Sequence, residues 1–198
     1  MATKKAFDET FLNGVIQVAA TVGIENLRTK QVADYTGFSE ATLFRAFETK
    51  ELLLCSAFLR VDNEISHVLS DLVELRGKDD AASKRLLSKV WDRLFGFLSE
   101  KKEQTLFWMR FRYSSLYTDD VREKREAFNG GLSPVYDALS EHYTGLTSEQ
   151  LSFLLQTVVE TTACLAEKNA NGKAEELDGV SDFVWATASA AARRICFS

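Results

Sequence analysis

Proline is almost missing. The 198 residues contain one, where an average usage of about 5% would supply roughly ten. Proline lacks an N–H and clashes with the preceding helical turn, so a chain that avoids it is suited to long helices. Cysteine is nearly as scarce. Cys55, Cys164 and Cys196 stand far apart, which fits neither a disulfide framework nor the paired spacing of a zinc site. Reduced thiols in a cytoplasmic protein are the expectation. Histidine occurs only as His67 and His142, with no cysteine or carboxylate motif around either. No catalytic residue and no metal set is therefore nominated. The pair Gly130-Gly131 lacks the lysine and spacing of a phosphate-binding loop, and no cofactor is implied. No apolar run nears the ~20 residues of a membrane span. The opening MATKKAFDETFLNG has lysines without an apolar stretch behind them, so no secretory leader is expected.

An excess of basic charge is also missing. The formal net charge is −5, from 24 Lys/Arg against 29 Asp/Glu. Residues 1–60 carry seven of each, leaving 17 against 22 for the remainder. The N-terminal part is neutral and the rest repels polyanions, so charge by itself does not announce a nucleic-acid partner.

What is present is periodic. In FDETFLNGVIQVAATV, Phe7, Phe11, Leu12, Val15, Ile16, Ala19 and Val22 recur at helical spacing. Gly23 suits a left-handed stop. Thr29 is expected to cap a second helix through KQVADYT, which Gly37 ends. Ser39 then caps EATLFRAF, and Thr49 caps a fourth helix beginning KELLLCSAFLRV. Two short helices joined by a glycine turn make a helix-turn-helix. Its second helix is half-buried and half-presented to the DNA major groove. Leu43, with Phe44 or Phe47, is expected to hold that helix to the first and fourth. Ser39, Glu40, Thr42 and Arg45 then remain on the outer side.

On these residues, 11–54 resembles the DNA-binding domain of the TetR family of bacterial transcriptional regulators. The likeness is carried by the first helix ending in Gly23, by RTKQVADYTGFS and by ATLFRAFETKELLL. It implies an all-α chain, with a three-helix DNA-binding domain over 1–50 and a helical effector-binding and dimerisation domain over 51–198. It also implies a ligand-responsive repressor that binds a palindromic double-stranded operator as a homodimer. The alternative is a TetR-like adaptor or coactivator that has lost strong DNA binding. The candidate DNA-binding residues are Thr29, Lys30, Ser39, Glu40, Thr42, Phe44, Arg45 and Lys50. Lys50, in the first turn of its helix, suits a phosphate clamp, or is simply solvated. Arg45 suits bidentate readout of guanine, and Glu40 suits a cytosine amino group. The bland role for Arg45 is a salt bridge to Glu48 or Glu51. The family commonly places a phosphate-binding tyrosine where this chain has Phe44, and His or Tyr where it has Ala46.

Beyond residue 50, helices are expected over 50–75, 82–102, 104–115, 119–143, 147–170 and 175–196. Gly130, Gly131 and Pro134 should kink or break the fourth of these, with Ser133 as cap and Pro134 as first helical residue. Aromatic residues are dense over 91–117. Trp91, Phe95, Phe107, Trp108, Phe111, Tyr113 and Tyr117 are the candidate pocket for a small hydrophobic or aromatic effector, the alternative being a ring-rich core. Arg110 and Arg112 interleave with them, either to neutralise an anionic ligand or to face solvent. The last two helices carry the stripes Leu151, Leu155, Val158 and Thr162, and Val184, Ala188, Ala191 and Ile195. The family usually dimerises through its final helices, so these are the candidate dimer seam; the alternative is packing inside one monomer.

Overall fold

A computed structural model describes residues 2–128, 132–168 and 179–195, with side chains for 8–125, 132–168 and 179–195. Among the described residues the chain is helical, with no strand. The elements are α1 (Ala2–Val22), α2 (Thr29–Thr36), α3 (Glu40–Phe47), α4 (Lys50–Leu69), a 3₁₀ segment (Ser70–Leu75), α5 (Asp80–Glu100), α6 (Lys102–Arg112), α7 (Asp119–Phe128), α8 (Ser133–His142), α9 (Ser148–Lys168) and α10 (Val180–Ala192). None of the described helices is long and apolar enough to cross a membrane.

Local chemistry sets most of the helix starts. The Ser39 Oγ accepts the Thr42 N–H at 3.2 Å, the Thr49 Oγ1 accepts that of Leu52 at 3.1 Å, and an Asp79 carboxylate oxygen accepts that of Ala82 at 2.7 Å. Each satisfies a backbone donor that the helix leaves unpaired. Two expected caps shift by one residue. At α2 the flanking residue is Arg28, whose N–H is accepted by the Gln31 carboxamide at 2.8 Å; Thr29 already lies inside the helix. At α8 the helix opens on Ser133, so Pro134 sits second, where its missing N–H still costs no bond. The expected single helix 119–143 is two helices, α7 and α8. Gly130, Gly131 and Cys196, and the side chain of Phe7, lie outside the described residues.

The chain divides into two compact units: residues 1–63 with 102–128, and residues 64–101 with 129–198. In the first, α1 packs on α2 and α6, burying Phe11, Val15, Ile16, Val32, Leu43, Leu53, Phe58, Phe107 and Phe111. Gly14 is what lets α1 approach α2: a Cβ there would lie 2.4 Å from the Thr36 methyl carbon. In the second unit α5, α9 and α10 pack on one another, with α8 against the 3₁₀ segment and α9. Val90, Leu94, Leu154, Val158, Val184 and Ala188 form its interior, and the Trp185 indole N–H donates to the Leu87 carbonyl at 3.1 Å.

Candidate nucleic-acid interface

The turn between α2 and α3 is held by Gly37 at φ +75°, whose N–H returns to the Ala33 carbonyl. A Cβ at Gly37 would meet nothing within 4 Å, so the left-handed backbone, not space, calls for glycine. Phe38 then lays its ring 5.3 Å from that of Phe11, and Phe47 meets Phe11 edge-on at 6.2 Å. Leu43 is fully buried. The anchors of α3 are therefore Leu43 and Phe47. Phe44 is 41% exposed and stands on the outer face with Ala41 and Arg45.

The candidate contact residues fall into two groups. Thr29 and Glu40 bind each other, hydroxyl to carboxylate at 2.5 Å, bracing the first turn of α2 against that of α3. Ser39 and Thr42 are likewise paired, their hydroxyl oxygens 2.8 Å apart at the start of α3. Lys30, Arg45 and Lys50 form the second group. Among the described residues none of the three has an ion pair or a side-chain hydrogen bond. The alternative role of Arg45 as partner of Glu48 or Glu51 is not realised. Arg28, which the sequence pattern did not single out, is exposed at the head of α2 on the same terms.

Behind this surface, α6 is fixed by polar contacts that its sequence did not advertise. The Trp108 indole N–H donates to a carboxylate oxygen of Asp62 on α4 at 2.9 Å, and the other oxygen accepts from the Arg125 Nε of α7 at 2.8 Å. Asp62 is only 2% exposed. The Arg110 guanidinium donates to the carbonyls of Ala19 and Ala20 at 3.0 and 2.8 Å. A cation belongs there, because the last carbonyls of α1 carry the negative end of its dipole. Arg112 lies over the rings of Trp108 and Tyr117, 5.2 and 5.0 Å from their centroids.

The candidate pocket residues are shared between the two units. Phe58 stacks on Phe111 at 4.6 Å and meets Tyr117 at 5.5 Å, and Phe107 meets Phe111 at 6.1 Å. Trp91 and Phe95 stack on each other at 5.4 Å in the other unit. Tyr113 is 73% exposed. The unit boundary falls at the helix break after Lys101, between the earlier and the later rings in sequence. A concavity of about 320 Å³ in the second unit has Leu87, Trp185 and Ala186 among its walls, with Asp80, Lys84 and Asp182. Tyr143 also borders it; burial pushes its phenol up to about 12, against the opposing pull of Arg193.

The candidate seam residues also need correction. Leu151, Leu155, Val158 and Thr162 of α9, and Val184 and Ala188 of α10, are buried within the single chain. They offer a second copy no surface, whereas Ala191 and Ile195 are half-buried. The outward side of α10 is instead Phe183, Thr187 and Ala190, and that of α9 runs through Phe153, Thr157 and Cys164.

No protein-family model and no curated protein matches this sequence. Solved structures do. A TetR family transcription regulator from Marinobacter aquaeolei VT8 superposes with a TM-score of 0.72 at 23% identity, covering 96% of this chain and 98% of that one. A putative TetR family regulator from Shewanella sp. PV-4 gives 0.73 at 17%, covering 93% and 96%. The chain has the TetR-regulator fold. The same fold is seen in the transcriptional regulator FadR from Bacillus subtilis in complex with stearoyl-CoA, with a TM-score of 0.67 at 18% identity and coverage of 91% and 97%. In TetR-fold terms α2 and α3 are the helix-turn-helix, with α3 as its second helix.

Proposed function

We propose that this chain is a ligand-responsive TetR-family transcriptional regulator, a repressor that binds a palindromic double-stranded operator as a homodimer in the cytoplasm. The observation that carries the reading is the outer face of the helix-turn-helix. Among the described residues Lys30, Arg45 and Lys50 have no ion pair or side-chain hydrogen bond there, while Glu40, the acid that would oppose phosphates at the start of α3, is occupied by Thr29. Arg45 then reads a guanine edge, and Lys50 holds a phosphate where the opening N–H groups of α4 already favour an anion. Ser39 and Thr42 supply hydroxyls at the start of the reading helix. Residues 1–50 are the reading head and 51–198 serve effector binding and dimerisation.

The seam we assign to the homodimer is the outward face of α9 and α10, through Phe153, Thr157, Phe183, Thr187 and Ala190. Phe183, 68% exposed, is the large apolar side chain it covers. A two-fold pair reads half-sites about 34–36 Å apart, one turn of DNA. The effector is a small hydrophobic or aromatic molecule, and α6 is the element that responds to it. Because Arg110 fastens α6 to the end of α1, a ligand that favours a displaced α6 favours a displaced head, and only such differential affinity shifts the equilibrium.

Selection of bound fragments from the source genome, followed by affinity measurements against salt, tests this. A repressor loses affinity steeply as salt rises, through counterion release. Arg45→Ala should weaken binding to the selected site by about 1–3 kcal/mol and relax one base position, whereas Lys50→Ala should weaken all sequences alike. Affinity that ignores salt, or an absence of any selected site, would favour the adaptor reading instead.

A further inference from the structure

Phe44 is not the ring that anchors α3. Leu43 and Phe47, its neighbours on α3, carry the anchoring to the rest of the head: Leu43 is fully buried and Phe47 meets Phe11. Phe44 itself is 41% exposed and, among the described residues, makes no ring contact. One turn before it on the same face stands Ala41, also exposed, so the two form a narrow apolar strip beside the unpaired guanidinium of Arg45. A helix-turn-helix surface built only to hold phosphates gains nothing from a ring that lacks a hydroxyl. In the major groove one group of a base edge is apolar and marks a single base: the C5-methyl of thymine.

We propose that Phe44 is a specificity-determining residue that packs on a thymine methyl, next to the guanine read by Arg45. The inference rests on the DNA-binding reading given above. Residues 44 and 45 are consecutive, with Cα atoms about 3.8 Å apart, and bases along a strand step by about 3.4 Å. The thymine therefore lies within about two base pairs of the guanine. The contact adds selectivity without adding charge, which suits a head whose residues 1–60 carry no net charge.

The test replaces each thymine of the selected duplex, one at a time, by deoxyuridine, which removes the methyl and keeps every hydrogen-bonding group. Fluorescence anisotropy on the full-length protein reads the affinity. One position near the guanine should lose about fourfold or more with the wild type, the equivalent of burying one methyl-sized group. Phe44→Ala should already show the reduced affinity on the thymine duplex and lose nothing further on the deoxyuridine one. Phe44→Leu, which keeps an apolar tip, should retain part of the difference, and circular dichroism checks that both variants fold. If the wild type binds its selected duplex but is indifferent to every deoxyuridine, the thymine contact is wrong and the DNA reading stands. If no duplex is selected, and Phe44→Ala instead abolishes association with a protein partner, both are overturned.

Discussion

The Asp62–Arg125 pair gives the sharpest test of how α6 and α7 are held. Asp62 is 2% exposed and uses both carboxylate oxygens, one on the Trp108 indole and one on Arg125. The side chain of Arg125 is 23% exposed. The two partners are therefore unequal. Arg125→Met takes a cation away from a buried carboxylate, a loss of about 3–5 kcal/mol. Asp62→Asn retains an acceptor for Trp108 and leaves Arg125 near enough to water to rehydrate, so about 1–3 kcal/mol is expected. The double variant buries neither charge of the pair and should be more stable than the sum of the singles implies, by about 0.5–3 kcal/mol. For a chain of this size each kcal/mol moves the melting temperature by about 2–4 °C, so Arg125→Met should melt roughly 6–20 °C lower by circular dichroism. Trp108 emission should also shift in both single variants. Equal or reversed costs for the two singles, or a strictly additive double, would show that burial of Asp62 does not govern the pair.

Gly14→Ala should destabilise by about 1–3 kcal/mol through overpacking, because the new methyl would sit 2.4 Å from that of Thr36; adding Thr36→Ser should restore most of the loss in urea unfolding, and no rescue would locate the cost elsewhere. Ala190→Glu, on the outward side of α10, should stay folded and shift light scattering towards monomer, whereas Ala188→Glu places a charge in a fully buried position and should unfold the second unit instead. A folded Ala190→Glu protein that is still dimeric at low micromolar concentration would move the seam to another face. The Tyr143 phenol is raised from 10.0 to about 12 by burial. Above the unfolded pKa the unfolded chain gives up this proton while the folded one keeps it, so stability is full below pH 10 and falls as pH rises to about 12. Tyr143→Phe should flatten that decline in alkaline melts, and an unchanged slope would remove Tyr143 as its source.

Much of the reading head was legible because its signals are local. Ser39 and Thr49 cap helices through their own hydroxyls, and Gly37 stops α2 through its own backbone. Which phenylalanine of α3 faces inward was not legible, since that depends on where Phe11 of another helix stands. The Thr29–Glu40 brace spans eleven residues and two helices, beyond any spacing rule. The stripes on α9 and α10 were read correctly as apolar faces, but a buried stripe has the same periodicity whether a neighbouring helix or a second subunit covers it. The rings over 91–117 show a different limit. A run of rings in sequence does not show a unit boundary, and Trp91 and Trp108 belong to different units. Asp62, the polar centre behind the head, looks in sequence like any solvated acid of a helix.

The first unit is assembled from two stretches of chain, 1–63 and 102–128, with 38 residues between them given to the other unit. On the ribosome this imposes an order of events. When residue 63 has been joined, α1 still lacks Arg110 on its last carbonyls, and Asp62 has neither Trp108 nor Arg125. At about 5–20 residues per second, the remaining segment arrives only roughly 3–13 s later. Over that interval the nascent head carries a helix end without its cation and the apolar side of α4, including Phe58, which α6 covers in the finished fold. A truncated transcript that ends before α6 would release the reading head in that state, so a chain cut short there yields a substrate for proteases rather than a freestanding binder.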